Sequence, residues 1–124
     1  MTPFAKTPED LSRLFVERAN ARDVDGLAAL YAEDAVLAFP PGKQTVGRAG
    51  IRELMAQLVA AGNGEFTVEE ALPTVYYGDD LALTSTKPSD DTGGRVQVVR
   101  READGSWVRI IDRPELRRPA GTDR

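Results

Sequence analysis

The chain contains no cysteine and no histidine. Without cysteine there are no disulfides, no zinc thiolate sites and no thiol nucleophile. Without histidine there is no Ser-His-Asp or Cys-His dyad, and no metal site built on imidazole. No apolar run approaches the roughly 20 residues of a membrane helix. The opening MTPFAKTPED has no basic stretch followed by an apolar one, so the expectation is a cytoplasmic protein without a secretory signal. The net charge of −4 argues against nucleic acid as the main partner. What remains is one domain's worth of chain, 124 residues with 41% hydrophobic and 29% charged side chains. That is a globular balance, long enough to bury a core. Any chemistry falls to Asp, Glu, Lys, Arg, Tyr, Ser or Thr.

Thr7-Pro8-Glu9-Asp10 reads as a helix start: a capping hydroxyl, a proline suited to the first turn, and an acid three residues after the cap. Leu11, Leu14, Phe15, Arg18 and Ala19 then follow the helical period. Asp23 is placed to cap a second, shorter helix carrying Leu27, Leu30 and Tyr31 on one side. Ala35–Phe39 reads as a strand stopped by Pro40-Pro41-Gly42, and Asp34 as a local backbone-bonding residue at the junction. After Gly47, Ile51, Leu54, Met55, Leu58 and Val59 mark a third, amphipathic helix, ended by Gly62-Asn63-Gly64. Phe66 and Val68 alternate with polar residues, then Val75-Tyr76-Tyr77 follows, with Pro73 implying a bulge or edge position. Further strands are expected over 81–86, 95–102 and 107–113, with a polar, mobile loop over 87–94. The order is helix, helix, strand, helix, then four strands. This is an α+β domain over residues 8–115 in which a mostly antiparallel sheet curls over three helices. Residues 1–7 form an arm, and 116–124 a polar tail expected to fray.

Asp104-Gly105 marks the last hairpin. A two-residue turn there puts Val99 opposite Ile110 and Gln97 opposite Asp112, on one face with Arg101 and Val108. The other face carries Val96, Val98, Arg100, Glu102, Trp107, Arg109, Ile111 and Arg113. A one-residue slip would change these partners. Val98, Ile111 and Trp107 leave much apolar surface on the outer face. Scattered surface hydrophobes are common, but a homodimer through this face accounts for it better, two-fold dimers being the commonest oligomers.

The segment Asn20-Ala21-Arg22-Asp23-Val24-Asp25-Gly26-Leu27, followed by Leu30 to Val36 (LYAEDAV), resembles the opening of the nuclear-transport-factor-two-like superfamily. Its ketosteroid isomerase and SnoaL-like branches are the most similar. Pro41-Gly42, Gly47, Ile51-Arg52-Glu53, Asp104-Gly105-Ser106-Trp107 and Ile111-Asp112-Arg113-Pro114 fit the same pattern. The resemblance implies a cone of curled sheet with helices in its mouth and a pocket between them, and many members are dimers. Ketosteroid isomerases use a tyrosine, a protonated aspartic acid and an aspartate base. By position these fall on Phe15, Gln97 and Phe39. Phe neither donates a hydrogen bond nor takes a proton, and Gln donates but does not titrate. Steroid-type isomerisation by that apparatus is therefore excluded. So is the histidine-dependent chemistry of some polyketide cyclases.

Asp112 is the carboxylate of most interest, pointing into the cone beside Gln97. In an apolar pocket such a group has a raised pKa and acts as an acid or base near neutrality. The competing role, and the commoner one, is structural: bonded to a backbone amide or paired with an arginine such as Arg95. Tyr31 either presents its hydroxyl to the pocket as a donor or sits in the core. Thr84 and Thr86 are ordinary sheet residues or pocket lining. Phe15, Phe39, Leu54, Met55, Leu58, Val99 and Ile110 would form the remaining wall. Asp90 and Asp91 lack calcium-loop spacing and read as a solvated turn. Gly62-Asn63-Gly64 and Gly93-Gly94 are turn glycines, not a phosphate cradle. Arg117 and Arg118 are too few for a nucleic-acid patch.

The function this supports is binding of a small apolar organic molecule without metal or cofactor. If catalytic, it is acid–base isomerisation, cyclisation or dehydration of an apolar or polyketide-like substrate, with Asp112 as acid or base and Gln97 and Tyr31 orienting. The alternative is a non-catalytic ligand-binding or association module. The three differ in whether the pocket is open and whether Asp112 takes part.

Overall fold

The computed structural model describes residues 4–62, 65–87 and 90–116. The expected helix stop at Asn63-Gly64, Pro88-Ser89 of the polar loop, and Arg117-Arg118 with the rest of the tail lie outside them. The first helix, α1 (Asp10–Asn20), begins with the reciprocal cap the sequence implies. The Asp10 N–H donates to Thr7 Oγ1 (3.3 Å), and the Thr7 N–H donates back to Asp10 Oδ2 (3.2 Å). Asp23 caps α2 (Val24–Ala28) by accepting from the Gly26 N–H at 2.9 Å. The third helix, α3 (Arg48–Ala61), buries Ile51 and Met55, with Leu54, Leu58 and Val59 packed against the same core.

The strands are β1 (Tyr31–Leu37), β2 (Thr45–Val46), β3 (Glu70–Ala71), β4 (Val75–Tyr77), β5 (Leu81–Lys87), β6 (Arg95–Arg101) and β7 (Trp107–Arg113). They form one mixed sheet in the order β2-β1-β7-β6-β5-β3, with β4 also on β5. Only the β1–β7 pairing is parallel among those described. The fold is α+β, as read from the order of elements. The two-residue strands β2 and β3 go beyond the pattern, because strands that short leave no periodicity to read. Pro73 separates β3 from β4, in keeping with its missing donor.

Two expectations fail at the start of β1. Helix α2 stops at Ala28, and Tyr31 is a strand residue rather than a helical one. Its carbonyl accepts from Arg48 Nε (2.9 Å), and the Arg109 N–H donates to the carbonyl of Leu30 (2.8 Å). These tertiary bonds pull the chain straight where local propensity would continue the helix. Asp34 therefore lies within β1, exposed, 3.7 Å from Arg100, and does not act as a junction cap.

The hairpin joining β6 and β7 also differs from the two-residue turn. The Gly105 N–H donates to the Glu102 carbonyl and the Glu102 N–H to the Ser106 carbonyl, with Gly105 at φ +88°. This is a three-residue turn closed by a left-handed glycine. The pairing is shifted by one near the turn: Arg101 faces Trp107, Arg100 faces Val108, and Val99 faces Arg109 rather than Ile110. A bulge between Val98 and Val99 absorbs the shift, so Val98 faces Ile111 and Gln97 still faces Asp112. The bulge leaves Ile110 without a partner on β6, and Trp107 and Arg109 turn inward. Trp107 is buried, not on the outer face, and its N–H donates to the carbonyl of Ala5 in the N-terminal arm.

Candidate functional site

A cavity of about 380 Å³ opens between α1, α3 and the inner face of the sheet. Its apolar wall is Phe15 and Val16 of α1, Leu54, Met55 and Leu58 of α3, and Leu37, Phe39 and Phe66. The size and lining suit a small organic ligand.

Four polar side chains meet on its sheet side. The Tyr31 hydroxyl donates to Asp112 Oδ2 at 2.6 Å. Gln97 Nε2 donates to Asp112 Oδ1 at 3.3 Å, and Thr84 Oγ1 donates to Gln97 Oε1 at 2.8 Å. The carboxylate accepts and does not donate, which turns the NH2 of the Gln97 amide toward Asp112 and leaves its oxygen to the Thr84 hydroxyl. Arg109 Nη1 lies 3.5 Å from Asp112 Oδ2 and 3.4 Å from the Tyr31 oxygen. Its guanidinium stands over the Phe15 ring, 5.1 Å from the centroid. Tyr31, Gln97, Arg109 and Asp112 are all buried.

The electrostatics follow from that burial. Burial, with the Asp112 charge beside it, pushes the Tyr31 hydroxyl above its ordinary 10.0, so it stays a protonated donor. Burial works against the charge on Arg109, but Tyr31 and Asp112 outweigh it and its pKa is raised. Asp112 Oδ2 is thus taken by Tyr31 and Arg109. Among the described residues, Oδ1 has only the long contact to Gln97.

A second polar group lies toward the Thr86 end of β5. Arg95 Nε donates to Glu69 Oε1 (2.7 Å), its Nη1 to the Pro114 carbonyl (2.7 Å) and its Nη2 to Asp90 Oδ2 (3.3 Å). Thr86 Oγ1 also donates to Glu69 Oε1 (3.0 Å). Asp90 accepts from its neighbour Thr92 as well, and no group of acidic side chains among the described residues could hold a metal ion.

Of the residues singled out in the sequence, Asp112, Gln97, Tyr31, Phe15, Phe39, Leu54, Met55, Leu58 and Thr86 line the cavity. Thr84, Val99 and Ile110 are not among its lining residues. Val99 is fully buried in the core, Ile110 packs against that core at the bulge, and Thr84 holds Gln97. The arginine beside Asp112 is Arg109; Arg95 pairs with Glu69 and Asp90 instead. Arg109 and Glu69 are among the lining residues that sequence reasoning missed, with Val16, Leu37, Phe66 and Glu115. Strict alternation put Arg109 outside. The adjacent Ile110-Ile111, which breaks the period of two, and Gly105 following Asp104 were the available signs of a bulge and a longer turn.

Residues 12–111 match the model of the SnoaL-like domain. The chain belongs to the SnoaL-like domain family. No protein of curated function matches this SnoaL-like chain by sequence. Among solved structures, it is similar to a ketosteroid isomerase-like protein from Erwinia carotovora atroseptica (TM-score 0.67, 19% identity, 85% of this chain and 89% of that one). It is also similar to a nuclear-transport-factor-two-like protein of unknown function from Pseudomonas putida KT2440 (TM-score 0.66, 20% identity, 94% and 88%). At these identities the likeness is one of fold, and this fold hosts many functions. Among the described residues, no helix is long and apolar enough to cross a membrane.

Proposed function

We propose that this SnoaL-like domain binds a small, largely apolar organic molecule and moves a proton on it without a cofactor, with Asp112 as the base. The observation carrying this reading is Asp112 itself: buried, on the wall of an apolar cavity, with Oδ2 fixed by Tyr31 and Arg109 and Oδ1 held less closely, by Gln97 at 3.3 Å. A carboxylate positioned so is suited to take a proton from carbon beside a carbonyl. The electron pair moves to the carbonyl oxygen, where the Arg109 charge favours it. The protonated Asp112 then returns the proton to the same or another carbon, so the cycle balances as an isomerisation. Tyr31 and Gln97 orient the carboxylate.

The test uses 2-tetralone, a fused-ring ketone small enough for the cavity, in D2O. Loss of its C1 proton signals by NMR should speed up in proportion to protein, and Asp112→Asn should slow that exchange by about 10²-fold or more. Equal exchange with folded wild-type and Asp112→Asn protein refutes the catalytic reading; 2-tetralone still bound in that case identifies a non-catalytic binding module.

A second observation favours a homodimer. Cross-strand partners Val75, Leu83, Val98, Ile111, Val36 and Val46 form one aliphatic row across six strands. Val75 and Val46 are more than 60% exposed and Ile111 is 48% exposed, an apolar band on the face away from the helices. The exposed Arg113 lies on one side of the row, and Asp34 and Glu102, both paired with Arg100, on the other. A two-fold axis along the row lays the apolar band of one copy on that of the other and brings each copy's Arg113 toward the other's Asp34, Arg100 and Glu102 group. Sedimentation should give a wild-type dimer and an Ile111→Glu monomer; a monomeric wild type at 100 μM (roughly the weak-dimer range) overturns it.

A further inference from the structure

The cavity carries polar groups at two places, and they differ in kind. At the inner end, Arg109 contributes its guanidinium, held over the Phe15 ring. Guanidinium N–H groups donate and do not accept, so this end favours an acceptor oxygen. At the outer end stands Glu69. Its Oε1 is held by Arg95 and Thr86, while Oε2 takes neither of those bonds. Glu69 is 16% exposed at its side chain and lines the cavity. Its fixed carboxylate offers an acceptor to whatever lies there, so this end favours a donor.

The sheet sets the separation. Thr86 pairs with Arg95 and Thr84 with Gln97, which in turn faces Asp112. These two rows are two residues apart on one face, a spacing of about 7 Å; Arg109 faces Val99, one row further along, and reaches back to Asp112 through Nη1. Three carboxylates (Glu69, Asp112, Glu115) against two guanidiniums (Arg95, Arg109) also line the space. An anionic ligand is disfavoured by that balance.

We propose that the cavity selects a neutral hydroxy-ketone: a carbonyl oxygen at the Arg109 end, and a hydroxyl about 7 Å away or somewhat more donating to Glu69, with Glu69 as the specificity-determining residue. This rests on the cavity being the ligand site proposed above, and it adds the ligand's polarity and charge.

The experiment compares dissociation constants, by NMR titration, for 2-tetralone, 6-hydroxy-2-tetralone and 6-methoxy-2-tetralone. Wild-type protein should bind the hydroxy compound about 10-fold more tightly than the methoxy one, as one hydrogen bond to a charged group implies. Glu69→Gln keeps the oxygen that Arg95 and Thr86 hold and turns an N–H donor toward the ligand. Its hydroxy-over-methoxy ratio should fall to about one or invert. Thr86→Val, which frees Glu69 from one of its two holds, should reduce the ratio without inverting it. If 2-tetralone binds and wild type shows no hydroxy preference, or if Glu69→Gln leaves the ratio unchanged, this inference fails while the binding reading stands. If none of the three ketones binds, both fail.

Discussion

Replacing Tyr31 with phenylalanine removes one oxygen and leaves the ring. Tyr31 is 1% exposed, so the packing of the ring on Arg109 and the core is kept and no cavity larger than the hydroxyl appears. What is lost is the 2.6 Å bond to Asp112 Oδ2 and the long 3.4 Å contact from Arg109. The carboxylate has few compensating donors: Gln97 sits at 3.3 Å on the other oxygen, and Arg109 at 3.5 Å. A buried hydrogen bond to a charged group contributes about 1.5–3 kcal/mol, and both side chains are buried deeply enough for the upper half of that range. Tyr31→Phe should therefore cost about 2–3 kcal/mol in urea unfolding. With roughly 0.26 kcal/mol/K of unfolding entropy for a chain of this length, the melting point should fall by about 10 °C. Tyr77→Phe is the control: Tyr77 is 80% exposed, and its loss should stay within about 0.5 kcal/mol. A cycle with Asp112→Asn should show coupling of at least about 1 kcal/mol between the two positions. If Tyr31→Phe costs no more than Tyr77→Phe, or if the cycle is additive, the reasoning that the four side chains act as one unit is wrong.

The raised Tyr31 pKa has a definite sign. The folded state keeps a proton that the unfolded chain releases near pH 10, so this contribution is complete below pH 10 and is lost as pH rises above it. In phenolate absorbance, the difference between wild type and Tyr31→Phe should stay flat until the fold is lost; a rise at pH 10 with intact circular dichroism contradicts it. Gly26→Ala should destabilise by about 1–3 kcal/mol despite alanine's better helix propensity. A methyl there meets the Asp23 carboxylate that caps α2 and Arg18 Cδ at 3.0 Å, and a variant more stable in urea than wild type would refute this. Asp10→Ala should cost about 1 kcal/mol at pH 7. Burial works against the Asp10 charge, but the Lys6 and Thr7 N–H groups and Arg13 outweigh it and lower its pKa. The cost should shrink as pH falls below the ordinary aspartate value of 3.8; a cost independent of acidification contradicts the cap.

Much of this protein is legible from its residue order. The Thr7–Asp10 cap, the Asp23 cap, the α3 stripe from Ile51 to Val59 and the facing of Gln97 and Asp112 are local or near-local properties. They depend on periodicity and on hydrogen bonds a few residues apart, which a sequence displays directly. The absence of histidine and cysteine bounds the chemistry in the same way. The partner of Asp112 was decided elsewhere. The Gly105 turn lengthens the hairpin by one residue and the bulge at Ile110 takes it back, so Gln97 meets Asp112 in either register while Arg109 changes face between them. Tyr31 lies in a strand because Arg48 and β7 bind the backbone around it. Glu69 reaches the cavity because Arg95 and Thr86, on two different strands, hold it there. Alternation along a strand is a property of the chain, but which residue a bulge turns inward depends on the strands on both sides. The sequence by itself therefore determined the three helices, the strands longer than two residues, their order and the carboxylate at the centre. Only the tertiary structure decided which cation and which hydroxyl stand beside it.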